Sequence, residues 1–324
     1  MREAEGATTT EPGPGAILGE QRRLTNLAYR MLGSLADAED VVQETYARWY
    51  ALPRREREAI VSPGGWLTTV ASRICLNLLG SARVRRERYV GEWIPEPLPD
   101  SREWTDPASG PGTDPADRIT LDESVSMAFL VVLEAMTPAE RVAFVLHDVF
   151  RYPFAEVAAI VGRTPAACRQ LATSARRRIR AGRAPAAPTG AQAGVVREFK
   201  RAWEAKDLKS LMAVLDPEAT VIADGGGLVG ALPHPLTGRE RIAAAHLDSD
   251  RFAPGITLLE CTVNGGPGLV AQVDGVTVTV FAFRIAEGLI THIWAVRNPE
   301  KLRPWTQVGP IGSGLRPSGS GAQQ

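Results

Sequence analysis

Pro153 to Gly182 (PFAEVAAIVGRTPAACRQLATSARRRIRAG) carries the densest set of residues able to do chemistry, and that chemistry is anion binding. Arg163, Arg169, Arg176, Arg177 and Arg180 recur here, while no Asp or Glu occurs from Val157 through Arg197. Arginines near a helix C-terminus also complement its dipole, and a charge run is often only a solvated face. An ordinary surface helix mixes signs, however, so a run this one-sided fits phosphate neutralisation better. The elements that must position these groups can be read beside them. Phe154, Val157, Ala158 and Val161 share one helical face, Gly162 supplies a break, and Thr164-Pro165 is an N-cap followed by a first-turn proline. In the next helix Cys168, Leu171, Ala172, Ala175 and Ile179 make the apolar stripe, which turns the arginines outward. Two short helices about a glycine turn, the second one basic, have the pattern of a helix-turn-helix. Arg163, Arg169 and Gln170 are placed to meet bases or phosphates, and Arg176 and Arg177 to meet backbone.

A second basic region follows a helix opened by Ser62-Pro63. Leu67, Val70, Ala71, Ile74 and Leu78 form its inward stripe, and Trp66, Thr69, Arg73 and Asn77 recur on another face. Arg83, Arg85, Arg86 and Arg88 come directly after. A stacking surface beside a cationic track is what single-strand binding requires, although the spacing serves equally well for a core Trp66. An acidic set, Asp37, Glu39, Asp40 and Glu44, opens the helix whose other face carries Ala38, Val41, Val42, Thr45 and Trp49. Read alone, those acids complement the helix dipole.

The chain has 324 residues, 44% hydrophobic, with a formal net charge of zero, so any nucleic-acid site must be a local patch. Cys75, Cys168 and Cys261 are isolated, which fits a reducing cytoplasm and neither a disulfide framework nor a cysteine metal site. The polar start and the lack of an apolar run near ~20 residues imply a soluble, cytoplasmic protein with no membrane partner. Residues 1–15 read as disordered, 16–92 as a helical domain and 93–117, dense in proline, glycine and acid, as a linker. Residues 118–182 form a second helical domain, with a capping box at Thr137-Pro138-Ala139-Glu140. A second linker covers 183–194, an α+β domain 195–306 and a disordered tail 307–324. In the α+β domain, Asp274-Gly275 marks a hairpin between two of the strand candidates.

Together these segments resemble an extracytoplasmic-function (ECF) sigma factor. Leu27–Tyr50 is similar to the polymerase-binding helices of sigma region two, Gly64–Leu98 to the promoter-melting part, and Met136–Ile179 to region four, which reads the minus-thirty-five element. The resemblance implies that Asp37, Glu39, Asp40 and Glu44 dock on the polymerase, reversing their reading in isolation. It also implies that Trp66, Arg73, Asn77, Arg83, Arg85 and Arg86 meet opened DNA. Asn77 and Gly80 stand where the family more often has Asp and Arg. The α+β domain resembles the SnoaL-like cone appended to one class of these factors, on Trp93-Ile94-Pro95-Glu96-Pro97-Leu98, Asp224-Gly225-Gly226-Gly227 and Asn298-Pro299-Glu300-Lys301-Leu302. In that class the cone folds on the sigma core and modulates it, which makes Asp224–Gly227 and Asn298–Leu302 the expected regulatory interface. Leu228 follows the glycines where a basic residue is expected.

The expected architecture is therefore two all-α sigma modules plus an α+β cone, with core polymerase and promoter DNA as partners. No enzymatic activity, metal or organic cofactor is expected, and a small ligand in the cone is left open. A cyclase- or isomerase-type enzyme fused to a DNA-binding module is the rival, resting on Asp224, His234, His246 and His292 as acid–base candidates. A one-component regulator with a ligand-binding cone is a third reading, and it leaves the polymerase-docking segment unexplained.

Overall fold

The structure, a computed structural model, describes residues 14–86, 89–99, 125–182, 189–248 and 255–305. Most of the N-terminal segment expected to be disordered, the tail from 307, and residues 100–117 and 183–188 of the two expected linkers lie outside them. Helices α1 (Pro14–Leu32) and α2 (Leu35–Ala51) are joined at Gly33-Ser34, where Gly33 takes φ +69° and Ser34 caps α2 through the Asp37 amide at 3.2 Å. A short α3 (Arg54–Ala59), not expected from the sequence, contributes no buried residue, and the long α4 (Pro63–Arg86) follows. Its buried stripe is Leu67, Thr68, Ala71, Ser72, Cys75 and Leu79. Val70, Ile74 and Leu78, expected inside, are only half-buried.

The second helical set comprises α5 (Met127–Glu134), α6 (Pro138–Phe144), α7 (Phe154–Val161) and α8 (Pro165–Gly182). The Thr137/Glu140 capping box opens α6, which runs on into a π-helical turn at Val145–Val149. The two sets share one core. Leu24, Leu27, Met31, Val42, Ala71 and Cys75 pack in the same cluster as Leu133, Val142, Leu146, Val157, Cys168 and Ala175. Arg141 is buried in this junction, donating to the Met31 carbonyl at 2.9 Å and to Glu134 at 2.7 Å. A buried guanidinium is tolerable only when paired in this way.

The α+β domain contains α9 (Thr189–Glu204), α10 (Leu208–Val214), β1 (Leu215–Asp224), β2 (Leu236–Thr237), α11 (Arg239–Leu247), β3 (Thr257–Val263), β4 (Gly266–Val273), β5 (Val276–Ala286) and β6 (Leu289–Val296). Half of the second expected linker is thus the first turns of α9, because the apolar stripe from Val195 onward nucleates a helix that propagates N-terminally. The sheet order is β2-β1-β6-β5-β4-β3, with β1–β6 parallel and the other pairs antiparallel. Asp274 and Gly275 both have positive φ (51° and 78°), as the two-residue hairpin turn requires. One sheet face closes on the helices through Val196, Phe199, Trp203, Leu211, Ile242 and Ile293. The other face, with Val270, Val280, Trp294 and Val296, is covered by Leu302 and Trp305 of the same domain and by Ile94 and Met127 from outside it.

Candidate nucleic-acid surface and the clamped linker

Gly162 ends α7 in the left-handed conformation (φ +70°), and Thr164 caps α8 by accepting the Ala167 amide at 3.2 Å. Burial of Cys168, Ala172 and Ala175 leaves Arg163, Arg169, Gln170 and Arg177 exposed. The Arg169 guanidinium lies 5.8 Å from the centroid of the Phe154 ring, which is itself stacked on His147 at 3.7 Å. Arg176 differs from the outward-facing role expected for it. It is half-buried and donates to Asp148, on the π-helical turn, at 2.7 Å.

On α4, Arg73 and Asn77 are exposed and Trp66 is half-buried, its ring 5.2 Å from that of Trp49. Arg73 donates to the Ala159 carbonyl of α7 at 3.0 Å, so this cation is turned toward the helix-turn-helix. Arg83, Arg85 and Arg86 fall on the last turns of α4, where side chains lie outside the described residues, as does Arg88. Along α2, Glu39, Asp40 and Glu44 are exposed and Asp37 is half-buried; Glu44 pairs with Arg48 at 2.9 Å.

Residues 93–99, assigned to a linker from their composition, are instead a strap gripped from both sides. Prolines hold this stretch extended, so its amides and carbonyls must find partners elsewhere. From Ile94 to Leu98 every residue is buried. On the helical side, the Glu96 amide donates to the Gly33 carbonyl at 2.8 Å and the Glu96 carbonyl accepts from the Tyr29 hydroxyl at 2.7 Å. The Glu96 carboxyl accepts the Leu35 amide at 2.7 Å, at the N-terminal end of α2. A Cβ on Gly33 would lie 2.9 Å from the Trp93 ring, so this close approach needs glycine.

On the cone side, the fully buried Asp224 carboxylate ends β1 and collects four donors. They are the Tyr89 hydroxyl at 2.6 Å, the Ile94 amide at 3.0 Å, the Gly226 amide at 3.0 Å and the Lys301 ammonium at 2.7 Å. Lys301 also donates to the Ile94 carbonyl, with its Nζ 4.1 Å from the Trp93 ring centroid and 5.3 Å from that of Tyr89. Asn298 donates to the Tyr89 hydroxyl at 2.9 Å, and the Trp305 indole donates to the Pro97 carbonyl at 2.8 Å. Gly226 has φ +63°, and a Cβ there would meet the Asn298 amide nitrogen at 2.4 Å. Of the residues expected at a regulatory interface, Asp224, Asn298 and Lys301 bond to residues 89–94, and Gly227 abuts Val90. Gly225 is buried against the Val229 carbonyl and Leu302 against the sheet, while Pro299, Glu300 and Leu228 are exposed.

Burial pushes the Glu96 carboxyl up to about 7, against the downward pull of the α2 amides and of Lys301. Burial together with the neighbouring Asp224 carboxylate raises the Tyr89 phenol.

Residues 17–85 match the family Sigma-70 region 2, and residues 126–179 match Sigma-70, region 4. The ECF RNA polymerase sigma factor SigJ of Mycobacterium tuberculosis is 36% identical over 293 residues, covering 87% of this chain and 90% of that protein. This chain belongs to the ECF RNA polymerase sigma factors. A probable ECF sigma factor of the same species, SigI, is 37% identical over 297 residues, covering 91% of this sigma factor and 96% of the relative. The crystal structure of M. tuberculosis SigJ aligns with a TM-score of 0.69 at 32% identity, over 90% of this chain and 98% of that one.

Several residues of the sigma factor's strap contact escaped sequence reasoning: Tyr29, Tyr89, Asn264 and Trp305. Asn264-Gly265 is an Asn-Gly pair between two strands, a turn signal that could have been read; the others have no local signature. The rival acid–base set is divided in space. His246 is buried on the helix-facing side of the sheet, donating from Nδ1 to the Ile242 carbonyl at 2.8 Å, and burial lowers its pKa. His292 stacks on Trp294, which belongs to the opposite face, His234 is exposed, and Asp224 is engaged by the strap. Among the described residues no helix is long and apolar enough to cross a membrane.

Proposed function

We propose that this sigma factor docks on core RNA polymerase through Asp37, Glu39, Asp40 and Glu44 and meets opened promoter DNA with Trp66, Arg73, Asn77, Arg83, Arg85 and Arg86. Arg163, Arg169 and Gln170 read the upstream element while Arg176 and Arg177 hold its backbone, and the cone restrains both helical modules through the strap. The observation that carries the reading is the basic helix-turn-helix surface on α8, packed in one core with a helix pair whose outer face is acidic. Because Arg73 is engaged by Ala159 and Arg176 by Asp148, binding DNA exchanges internal contacts for phosphates. Phe199, Trp203, His246, Phe281 and Phe283 pack ring against ring on the helix-facing side of the cone, which supports a contact role over a ligand-binding one. Run-off transcription with core polymerase on genomic fragments is the test. Promoter-specific transcripts are expected only when the full chain is added, and their absence on every fragment overturns the reading.

Two predictions arise here. Arg177→Ala should weaken binding to all sequences and lower the slope of log K against log salt by about 1, the value of one phosphate contact. Adding Arg176→Ala lowers it further only if Arg176 leaves Asp148 on the DNA. Trp66→Ala should keep polymerase binding and cost open-complex formation about 1–3 kcal/mol, the usual loss of one stacked base. A variant that unfolds instead would assign Trp66 to its packing on Trp49.

A further inference from the structure

Asn264 sits in the β3–β4 turn with φ +50° and is 1% exposed. Its side chain joins three other parts of the chain. Oδ1 accepts the Leu98 amide of the strap at 3.0 Å, and Nδ2 donates both to the Tyr29 hydroxyl of α1 at 2.8 Å and to the Val125 carbonyl, two residues before α5, at 3.0 Å. The Asn264 amide returns a bond to the Leu98 carbonyl at 2.9 Å, and Pro99 bridges to Val263 beside it. All the capacity of this amide that is bonded goes outside the cone. Tyr29 in turn donates to the Glu96 carbonyl, so the oxygen facing Nδ2 is an acceptor there and the chain of donors runs in one direction. The side-chain bonds of Asp224, by contrast, go to Tyr89, Ile94, Gly226 and Lys301.

We propose that Asn264 is the point at which release of the cone and release of the second helical set become one event. The cone does not hold the strap alone; through this amide it also holds the chain segment that leads into the helix-turn-helix module. Cutting the Asp224 cluster loosens the first half of the strap only. Removing the Asn264 side-chain amide breaks its bonds to the Leu98 amide, Tyr29 and Val125 together, so α5 loses this tie to α1. The inference rests on the cone acting as a restraint, and its test is chosen to be independent of transcription.

The experiment is hydrogen exchange on the full chain, comparing Asn264→Gly, Asn264→Asp and Asp224→Asn. Glycine suits the positive φ, so Asn264→Gly keeps the turn and deletes only the side-chain bonds. Aspartate keeps an acceptor for the Leu98 amide but turns oxygen toward the Tyr29 and Val125 oxygens, where donors stood. With about a fivefold effect per lost bond, Asn264→Gly should speed exchange of the α5 amides on the order of a hundredfold. Asn264→Asp should do the same at α5 while sparing Leu98, and Asp224→Asn should leave α5 protected. If α5 stays protected in both Asn264 variants, the coupling is carried by Met127 and its neighbours on the sheet, and the proposal fails. Transcription by Asn264→Gly is the separate arm: loosened α5 with unchanged transcription would leave the coupling standing and remove the restraint reading.

Discussion

Asp224→Ala should detach the first half of the strap and cost about 3–5 kcal/mol, the usual loss when one partner of a buried ion pair is removed. The size follows from what remains. Lys301 stays buried without the carboxylate it donates to, while the Ile94 amide and the Tyr89 hydroxyl lose their acceptor. Asp224→Asn should cost less, because an amide oxygen can still accept one of these donors. Denaturant unfolding measures the loss, and limited proteolysis near Tyr89–Trp93 locates it. An alanine variant with an unchanged midpoint and an intact strap would show that the cluster contributes nothing net to docking.

Glu96→Gln should strengthen strap docking near neutral pH and remove most of its pH dependence. Glu96 has a folded pKa near 7 against an ordinary 4.5, so the docked state binds the proton more tightly. A carboxyl raised in this way contributes stability that is fully present below the undocked value and is lost as pH climbs through the docked one. Docking therefore tightens as pH falls from about 7 toward 4.5 and changes little beyond either limit. Released in full, the shift corresponds to about 3 kcal/mol. The charges that face Glu96 are Lys301 from the cone and Glu39 from α2, with the Leu35 and Ala36 amides as donors. Stability measured from pH 7.5 down to about 5 should rise for the native chain and stay flat for Glu96→Gln. Parallel curves for the two proteins would mean that another group sets the dependence.

How far the sequence could be read depended on the range of the interactions involved. The helix-turn-helix was legible because Gly162, Thr164 and the Cys168–Ala172–Ala175 stripe act within a few residues of one another. The Thr137/Glu140 capping box and the Asp274-Gly275 hairpin are local in the same sense. The strap was misread because prolines and acids mark loops in general, and what orders this one is a set of partners far along the chain. Tyr29, with no local signature in α1, is fixed by Glu96 and Asn264. Arg176 looked like its neighbours until the π-helical turn brought Asp148 beside it. Merging of the two helical modules into one core was likewise hidden, since periodicity names a buried face and not what covers it.

The strap's partners also fix when it can close during synthesis. Tyr89 and Asp224 are 135 residues apart, Leu98 and Asn264 166, and Pro97 and Trp305 208. At roughly 5–20 residues per second, Pro97 is made on the order of ten to forty seconds before the indole that anchors it. Within that interval, from the completion of Gly182 until the sheet ends at Val296, the growing chain has both helical modules and no finished cone to close upon them. Closure of the strap is thus among the last contacts the newborn chain can make, and any product that stops short of Trp305 leaves the ribosome without the bond from its indole to Pro97.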